Sequence, residues 1–181
     1  MKKTKILSAL AFAFIMLMSS NIEAQKFAKL DKSPMDAAAF PRDYKVSDKL
    51  IKIVYSRPQL KGREVSKLAP NGKVWRTGAN EAAELTLYTD MKLGKTEIKA
   101  GTYTFYVIPG ETEWTAVINT DTNVWGSYFY DESKDVARLA VPVSTSYDEL
   151  EAFSIAFTEA DNGIHMHLGW GNKRIAIPFT N

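Results

Sequence analysis

The feature that most constrains this chain is a period-two alternation of apolar and polar residues, repeated in short runs after residue 49. Such runs, rich in β-branched and aromatic residues, are typical of half-buried β-strands. Turn-forming residues separate them, and no run is both long and apolar enough for a core helix. The strand-like runs are residues 50–55, 84–89, 102–108, 114–119, 136–143, 152–158, 164–170 and 174–179.

This pattern predicts an all-β fold, a single antiparallel β-sandwich of jelly-roll or immunoglobulin-like type with roughly eight to ten strands. Residues 25–48 contain Pro34 and Pro41 and only a short stretch, 36–40, that is too brief for a stable helix. We therefore interpret 25–48 as a leader into the domain and 49–181 as the β-sandwich domain.

Residues 1–24 have the three-part layout of a secretory signal peptide. Lys2, Lys3 and Lys5 form a positive start, residues 6–18 are apolar, and the segment ends at Ala24, where cleavage is expected. The apolar run is shorter than the roughly 20 residues that a membrane-spanning helix needs. The chain has no cysteine and so cannot carry a lipid on one. We expect an exported protein, periplasmic or secreted, without a membrane anchor after cleavage.

Removal of the signal changes the charge of the protein. The chain has 23 basic and 21 acidic residues, and residues 1–24 hold three of the basic and one of the acidic ones, which leaves 20 of each. Proteins that bind phosphate backbones have a cationic excess, so no nucleic-acid partner is expected. Removing 24 of 181 residues leaves 157, which suffices for one domain with a core that needs no disulfide.

The most distinctive stretch, residues 55–81, combines cations, an indole, an amide and a carboxylate with turn-forming residues. Its central run is Trp75-Arg76-Thr77-Gly78-Ala79-Asn80-Glu81, and the chain also contains Tyr55-Ser56-Arg57-Pro58, Trp125-Gly126 and Asp135-Val136-Ala137-Arg138. With these motifs, residues 33–179 resemble domain of unknown function family 2911, exported proteins found mainly in Bacteroidetes-type bacteria. The resemblance implies a β-sandwich-like exported domain, and no established activity, cofactor or catalytic residue.

The same stretch supplies the candidate ligand-binding residues Arg57, Lys61, Arg63, Trp75, Arg76, Asn80 and Glu81. Arginine forks suit carboxylates or phosphates, and an aromatic wall beside amide and carboxylate groups suits sugars. Alternatively, Arg57, Arg76 and Glu81 form an ion-pair network that holds loops at one end of the sandwich. If residues 74–77 are a strand, Trp75 and Arg76 point to opposite faces and need a bulge to line one pocket.

The two histidines of the chain, His165 and His167, lie at i and i+2 in a predicted strand, so they share one face. They are a weak candidate for a metal site, because no further ligand is nominated. No cofactor is expected. The carboxylate pairs Glu81 with Glu84 and Glu111 with Glu113 are candidates for general acid and base.

Four tryptophans raise the question of exposed aromatic surfaces. Trp114 lies in a predicted strand and is expected in the core. Trp125 lies close to Tyr128, Phe129 and Tyr130, so this segment either forms an exposed aromatic surface or packs across the sandwich end.

We therefore expect a non-catalytic binding or accessory module of the cell envelope that recognises a polar small molecule or a glycan. The alternatives are a hydrolase that uses acidic residues or a metal, and a structural or partner-binding envelope protein. The sequence contains no signal for the oligomeric state.

Overall fold

The computed structural model describes residues 26–180. The fold lies in the unit Asp31–Asn181, and the predicted signal peptide lies outside the described residues. The described residues form ten strands: β1 (Met35–Phe40), β2 (Ile51–Ser56), β3 (Ala83–Leu87), β4 (Met91–Leu93), β5 (Thr96–Ile98), β6 (Gly101–Ile108), β7 (Glu113–Asn119), β8 (Asp135–Pro142), β9 (Ser144–Ala160) and β10 (Gly163–Thr180).

The strands form two antiparallel sheets, which confirms the predicted all-β sandwich class. The large sheet has the order β1-β2-β3-β6-β7-β8, and the small sheet has the order β5-β4-β10-β9. Two meanders, β1-β2-β3 and β6-β7-β8, therefore lie side by side through the pairing of β3 with β6. The hairpin β4-β5 lies between the two meanders in the chain but belongs to the small sheet, where β4 pairs with β10.

The apolar residues that alternate with polar ones in the sequence are the residues that point into the core, as β2 shows. In β2, Ile51, Ile53 and Tyr55 are buried, and Lys52 and Val54 between them are only half-buried. The inward residues of both sheets make one continuous core. A sheet with one buried face needs this period-two pattern, because successive side chains point to opposite faces.

An aromatic cluster fills the core between the sheets. The Phe153 ring makes edge contacts with Tyr55, Trp75 and Trp170, with centroids 5.5, 4.8 and 5.9 Å away. Trp75 stacks on Trp170 at 5.4 Å and meets Trp114 edge-on at 6.3 Å. Trp114 is buried, as the sequence predicts. Because this cluster joins residues of both sheets, its packing stabilises the sandwich as a whole.

At one side of the sandwich, β9 bonds to the segment that follows β2. Phe153 N donates to Pro58 O at 2.9 Å, and Leu60 N donates to Glu151 O at 2.9 Å. Ile155 N donates to the Tyr55 hydroxyl at 2.8 Å. Burial of that phenol raises its pKa. These bonds join the two sheets through the backbone as well as through the core.

The structure differs from the sequence-based predictions at three places. β1 pairs along its full length with β2, so the domain begins inside the segment assigned to a leader, and the boundary at residue 49 is too late. β4 and β5, with three residues each, are too short to show a period. Residues 74–77 make a single bridge, Trp75 with Val107, and no strand.

Helical structure in the described residues is confined to α1 (Val65–Leu68) and a 3₁₀ turn at Glu132–Lys134. Within residues 26–180 there is accordingly no helix of the length and apolarity that crossing a membrane requires.

The first prediction concerns the aromatic cluster. Phe153→Ala is expected to lower the free energy of unfolding by about 3–5 kcal/mol, because it leaves a cavity among three rings. Tyr147→Ala, on the same strand but fully exposed, is the matched control and should change it by less than about 0.5 kcal/mol. Urea denaturation measures both, and equal effects of the two variants would contradict the assignment of Phe153 to the core.

Candidate functional site

The structure does not bring the seven predicted ligand-binding residues together. It divides them into four groups with different surroundings. Arg57 joins the two sheets, Lys61 and Arg63 lie in a turn at one end of the sandwich, and Trp75 lies in the core. Arg76, Asn80 and Glu81 belong to a segment that contacts the loop between β7 and β8.

Arg57 has the contacts of a structural arginine. Its Nε donates to Phe153 O at 3.0 Å, and its terminal nitrogens reach Ser154 Oγ at 2.7 Å and Asp36 Oδ2 at 3.1 Å. The predicted ion-pair alternative thus applies to Arg57, with the partner corrected from Glu81 to Asp36. Its guanidinium is occupied by the fold and leaves little for a ligand.

Lys61 and Arg63 shape the turn after β2. The Arg63 guanidinium donates to the carbonyl oxygens of Leu60 at 2.8 Å and Gln59 at 2.9 Å. Lys61 has a φ of 49°, and its backbone N–H donates to Glu151 Oε1 at 2.7 Å. Arg63 and Glu151 line an open cleft of about 600 Å³. This cleft is separate in its lining residues from Arg76, Asn80 and Glu81.

Trp75 cannot serve as the wall of a ligand site. Its side chain is 4% exposed and lies among three other aromatic rings. Trp75 faces the core and Arg76 is half-buried. This agrees with the expectation that the two side chains point to opposite faces and do not line one pocket.

The segment 74–82 and the loop 123–129 bond to each other along their length, and we call these residues the loop junction. Four contacts form it: Ser127 Oγ to Val74 O at 2.9 Å, Gly126 N to Asn80 O at 3.0 Å, Ala82 N to Val124 O at 2.9 Å, and a β-bridge between Glu81 and Trp125. The predicted site residues Asn80 and Glu81 thus lie directly against the predicted aromatic segment.

Left-handed backbone conformations allow these two segments to turn sharply. Asn80 and Asn123 have φ values of 62° and 56°, a region that asparagine tolerates better than most residues. Gly126 has a φ of 69°, and a Cβ there would lie 2.7 Å from the Tyr128 ring. A larger residue at Gly126 would therefore displace Tyr128.

The loop junction exposes three large aromatic side chains. Trp125, Tyr128 and Phe129 are 58%, 77% and 83% exposed. The structure therefore agrees with the interpretation of this segment as an exposed aromatic surface, and not with packing across the sandwich end. Large aromatic side chains exposed within five residues of one another provide apolar surface of the kind that, where contiguous, marks interaction sites.

The loop that carries these rings is anchored firmly at its far end. The Tyr130 ring packs edge-on against buried Tyr106 at 5.2 Å, and its hydroxyl donates to Asp135 Oδ2 at 2.5 Å. Burial and this bond raise the pKa of Tyr130 to about 12. Asn119 Nδ2 donates to Asp131 O at 3.0 Å and to Asp135 Oδ1 at 2.8 Å. The aromatic side chains therefore project from a backbone that is held in place.

A pocket of about 220 Å³ adjoins the loop junction. Its polar lining includes Glu81, Glu84, Asn123 and Thr104, and its apolar lining includes Val124. Pockets for drug-sized ligands measure about 300–1,000 Å³, so this one suits a single ring-sized group. The predicted carboxylate pair Glu81 and Glu84 lies in one pocket.

Arg76 is the electrostatic anomaly of the loop junction. Its Nε atom is sealed from solvent, and within residues 26–180 nothing accepts a hydrogen bond from it. The guanidinium also makes no ion pair with Glu81 or any other described residue, so the ion-pair alternative fails for Arg76. An unsatisfied buried donor costs about 1–3 kcal/mol, more when it is charged.

His165 and His167 lie side by side on β10, with ring centroids 6.0 Å apart. His167 Nε2 is 2.7 Å from Thr158 Oγ1, and burial, together with the charge of His165, lowers the pKa of His167. In the described part of the chain, no three His, Asp or Glu side chains come together as metal ligands do. The pair has a hydroxyl partner on β9 but no third ligand.

The class of protein defined so far is an all-β sandwich with a bonded pair of loops that exposes aromatic residues on the large sheet. The chain belongs to the family described as protein of unknown function (DUF2911), whose model matches residues 33–179. No curated protein and no solved structure matches the chain. The family match confirms the resemblance drawn from the Trp75–Glu81 run and the later motifs.

Sequence reasoning named Asn80, Glu81 and the aromatic segment separately and missed that they are neighbours. The hydrogen bonds that join the two segments are mostly between backbone atoms, so the residue types in the sequence do not predict them. Glu84 was considered only as a partner of Glu81, and Asn123 was not considered. A signal for Asn123 was present, since the run Asp121-Thr122-Asn123 followed by Gly126 contains residues typical of turns.

The second prediction compares two arginines. Arg76→Met keeps the apolar stem and removes the unsatisfied nitrogen, so we expect it to leave the free energy of unfolding unchanged or to raise it by about 1 kcal/mol. Arg57→Met removes three bonds and should lower it by about 2 kcal/mol or more. Urea unfolding of both variants checks this, and a marked loss of stability in Arg76→Met would show that Arg76 has a structural partner.

Proposed function

We propose that the domain is a non-catalytic binding module that acts outside the cytoplasm and recognises a glycan at the loop junction. The observation that carries this proposal is the exposure of Trp125, Tyr128 and Phe129 on an anchored loop beside a small polar pocket. The proposal retains Arg76, Asn80 and Glu81 from the predicted set. Arg57 and Trp75 have structural roles instead, and Lys61 and Arg63 lie apart.

Aromatic faces and sugars are complementary. One face of a pyranose ring presents C–H groups that pack on an indole or phenol ring, and its edge presents hydroxyl groups. Aromatic residues bury large areas at low cost in side-chain entropy, which makes them effective in recognition. Trp125 is the residue best placed for this contact, because its backbone bridges to Glu81 at the rim of the pocket.

The pocket supplies the polar half of such a site. Carboxylates accept hydrogen bonds from hydroxyl groups, and an asparagine amide both donates and accepts. Glu81, Glu84 and Asn123 line the pocket together, so a hydroxyl-rich ring beside Trp125 would find acceptors at its edge. A purely apolar partner surface would gain nothing from these groups, which favours a glycan over the partner-binding alternative.

Export is the second part of the proposal. It is supported by the three-part layout of residues 1–24. Glycans of the cell envelope are accessible to an exported domain.

The third prediction tests the binding site with a glycan array followed by calorimetry on the best ligand found. Trp125→Ala is expected to weaken binding at least tenfold, as is usual for a central aromatic contact. Tyr88→Ala removes an exposed aromatic outside the loop junction and should bind as the wild type does. The proposal fails if no glycan is bound, or if Trp125→Ala has no more effect than Tyr88→Ala.

A glycoside hydrolase is a second candidate, because Glu81 and Glu84 line one pocket and could serve as acid and base. The fourth prediction is that, in such an enzyme, Glu81→Gln and Glu84→Gln each abolish the release of reducing sugar. Glu111→Gln is the control, since Glu111 lines a different groove. Unaltered turnover in both pocket variants, or no turnover in the wild type, leaves the binding module as the better proposal.

A further inference from the structure

We infer that Arg76 binds a carboxylate group of the ligand, so that the loop junction selects acidic glycans over neutral ones. The inference rests on the proposed glycan site and adds the chemical class of its ligand. It starts from the one partly buried guanidinium of the described residues for which the fold provides no acceptor.

The position of Arg76 follows from the bridge between Trp75 and Val107. In an antiparallel bridge the next residue on one segment lies beside the preceding residue on the other, so Arg76 lies beside Tyr106. The Tyr130 ring, directly after the loop 123–129, packs on Tyr106. Two residues before Arg76, Val74 O accepts the Ser127 hydroxyl. Arg76 is therefore on the face of the large sheet that the loop junction covers.

Four other arginines have protein acceptors for their guanidinium groups, in contrast to Arg76. Arg57, Arg63, Arg138 and Arg174 each donate to carbonyl, hydroxyl or carboxylate oxygens. Arg42 is exposed and needs no protein partner. Arg76 is half-buried with Nε sealed, and its terminal nitrogens make no hydrogen bond or ion pair within residues 26–180, so these nitrogens are the fork that remains for an anion.

The carboxylates of the adjoining pocket, which Arg76 does not itself line, restrict which ligand fits the loop junction. Glu81 and Glu84 repel a compact, doubly charged group such as phosphate, but they accept hydrogen bonds from hydroxyl groups. A planar carboxylate matches the arginine fork. A ligand with one negative charge and several hydroxyl groups satisfies both demands, and a uronic acid residue of a glycan is such a ligand.

The fifth prediction tests this with paired probes, oligomers of galacturonic, glucuronic and mannuronic acid and the methyl ester of each. In calorimetry the wild type should bind at least one acid tenfold or more tighter than its ester. Arg76→Met should bind acid and ester alike. Arg42→Met, which removes the same charge from an exposed site, should keep the wild-type preference.

The outcomes separate this inference from the proposed function. Equal binding of acid and ester, with Trp125→Ala still weakening both, overturns the carboxylate assignment and leaves the glycan site standing. Binding of none of the probes overturns the inference, and the glycan array then decides the proposed function. Tighter binding of a peptide with a free C-terminal carboxylate than of any uronic acid, lost on amidation, would replace the glycan with a peptide ligand.

A stability measurement on the same variants excludes a structural explanation. If Arg76→Met loses the acid preference while its unfolding midpoint in urea stays equal or rises, Arg76 acts on the ligand. If the midpoint falls in step with the affinity, Arg76 serves the fold and the inference is wrong.

Discussion

The burial of Trp75 between the two sheets determines where the candidate site lies. Its ring stacks on Trp170 and contacts Phe153 and Trp114, so it cannot shift without disturbing the core. The single bridge to Val107 then sets the direction in which the chain continues across the large sheet. Arg76, Asn80 and Glu81 emerge from this fixed point, and a binding surface made of loops thereby acquires a rigid base.

The fold class follows from the sequence because one physical pattern controls it. Strands with one buried face must alternate, and β2 and β3 do so within a residue or two of their predicted bounds. β6 and β7 lie equally close to their predicted bounds but contain unbroken buried runs, residues 104–107 and 116–119. β1 escaped prediction because its sequence, with three consecutive alanines, lacks the bulky residues that mark a strand. β10 was predicted as two runs, 164–170 and 174–179, because bulges near Gly169 and Gly171 interrupt its period, and β9 was predicted only over residues 152–158.

The candidate site was predictable in its residue types and not in its geometry. Charged and aromatic residues flanked by turn signals identified residues 57–81 and the segment around Trp125 as unusual. Which of them meet depends on backbone bonds such as Gly126 N to Asn80 O, and these carry no side-chain signature. The partners of Arg57 illustrate the same limit, since Phe153 and Ser154 lie almost a hundred residues away in the chain.

Arg57 and Arg76 show that the same type of side chain can stabilise the fold at one position and be left for a ligand at another. Arg57 is paired with acceptors from β9 and with Asp36, and in that state it joins the sheets. Arg76 lies in the loop junction with its Nε buried and without an acceptor among the described residues, which is unfavourable for the isolated domain. Selection for stability alone would remove such a group, because apolar replacements of the same shape are close to neutral or better. An arginine of the loop junction without an acceptor among the described residues is therefore what we expect of a site whose missing partner is a ligand.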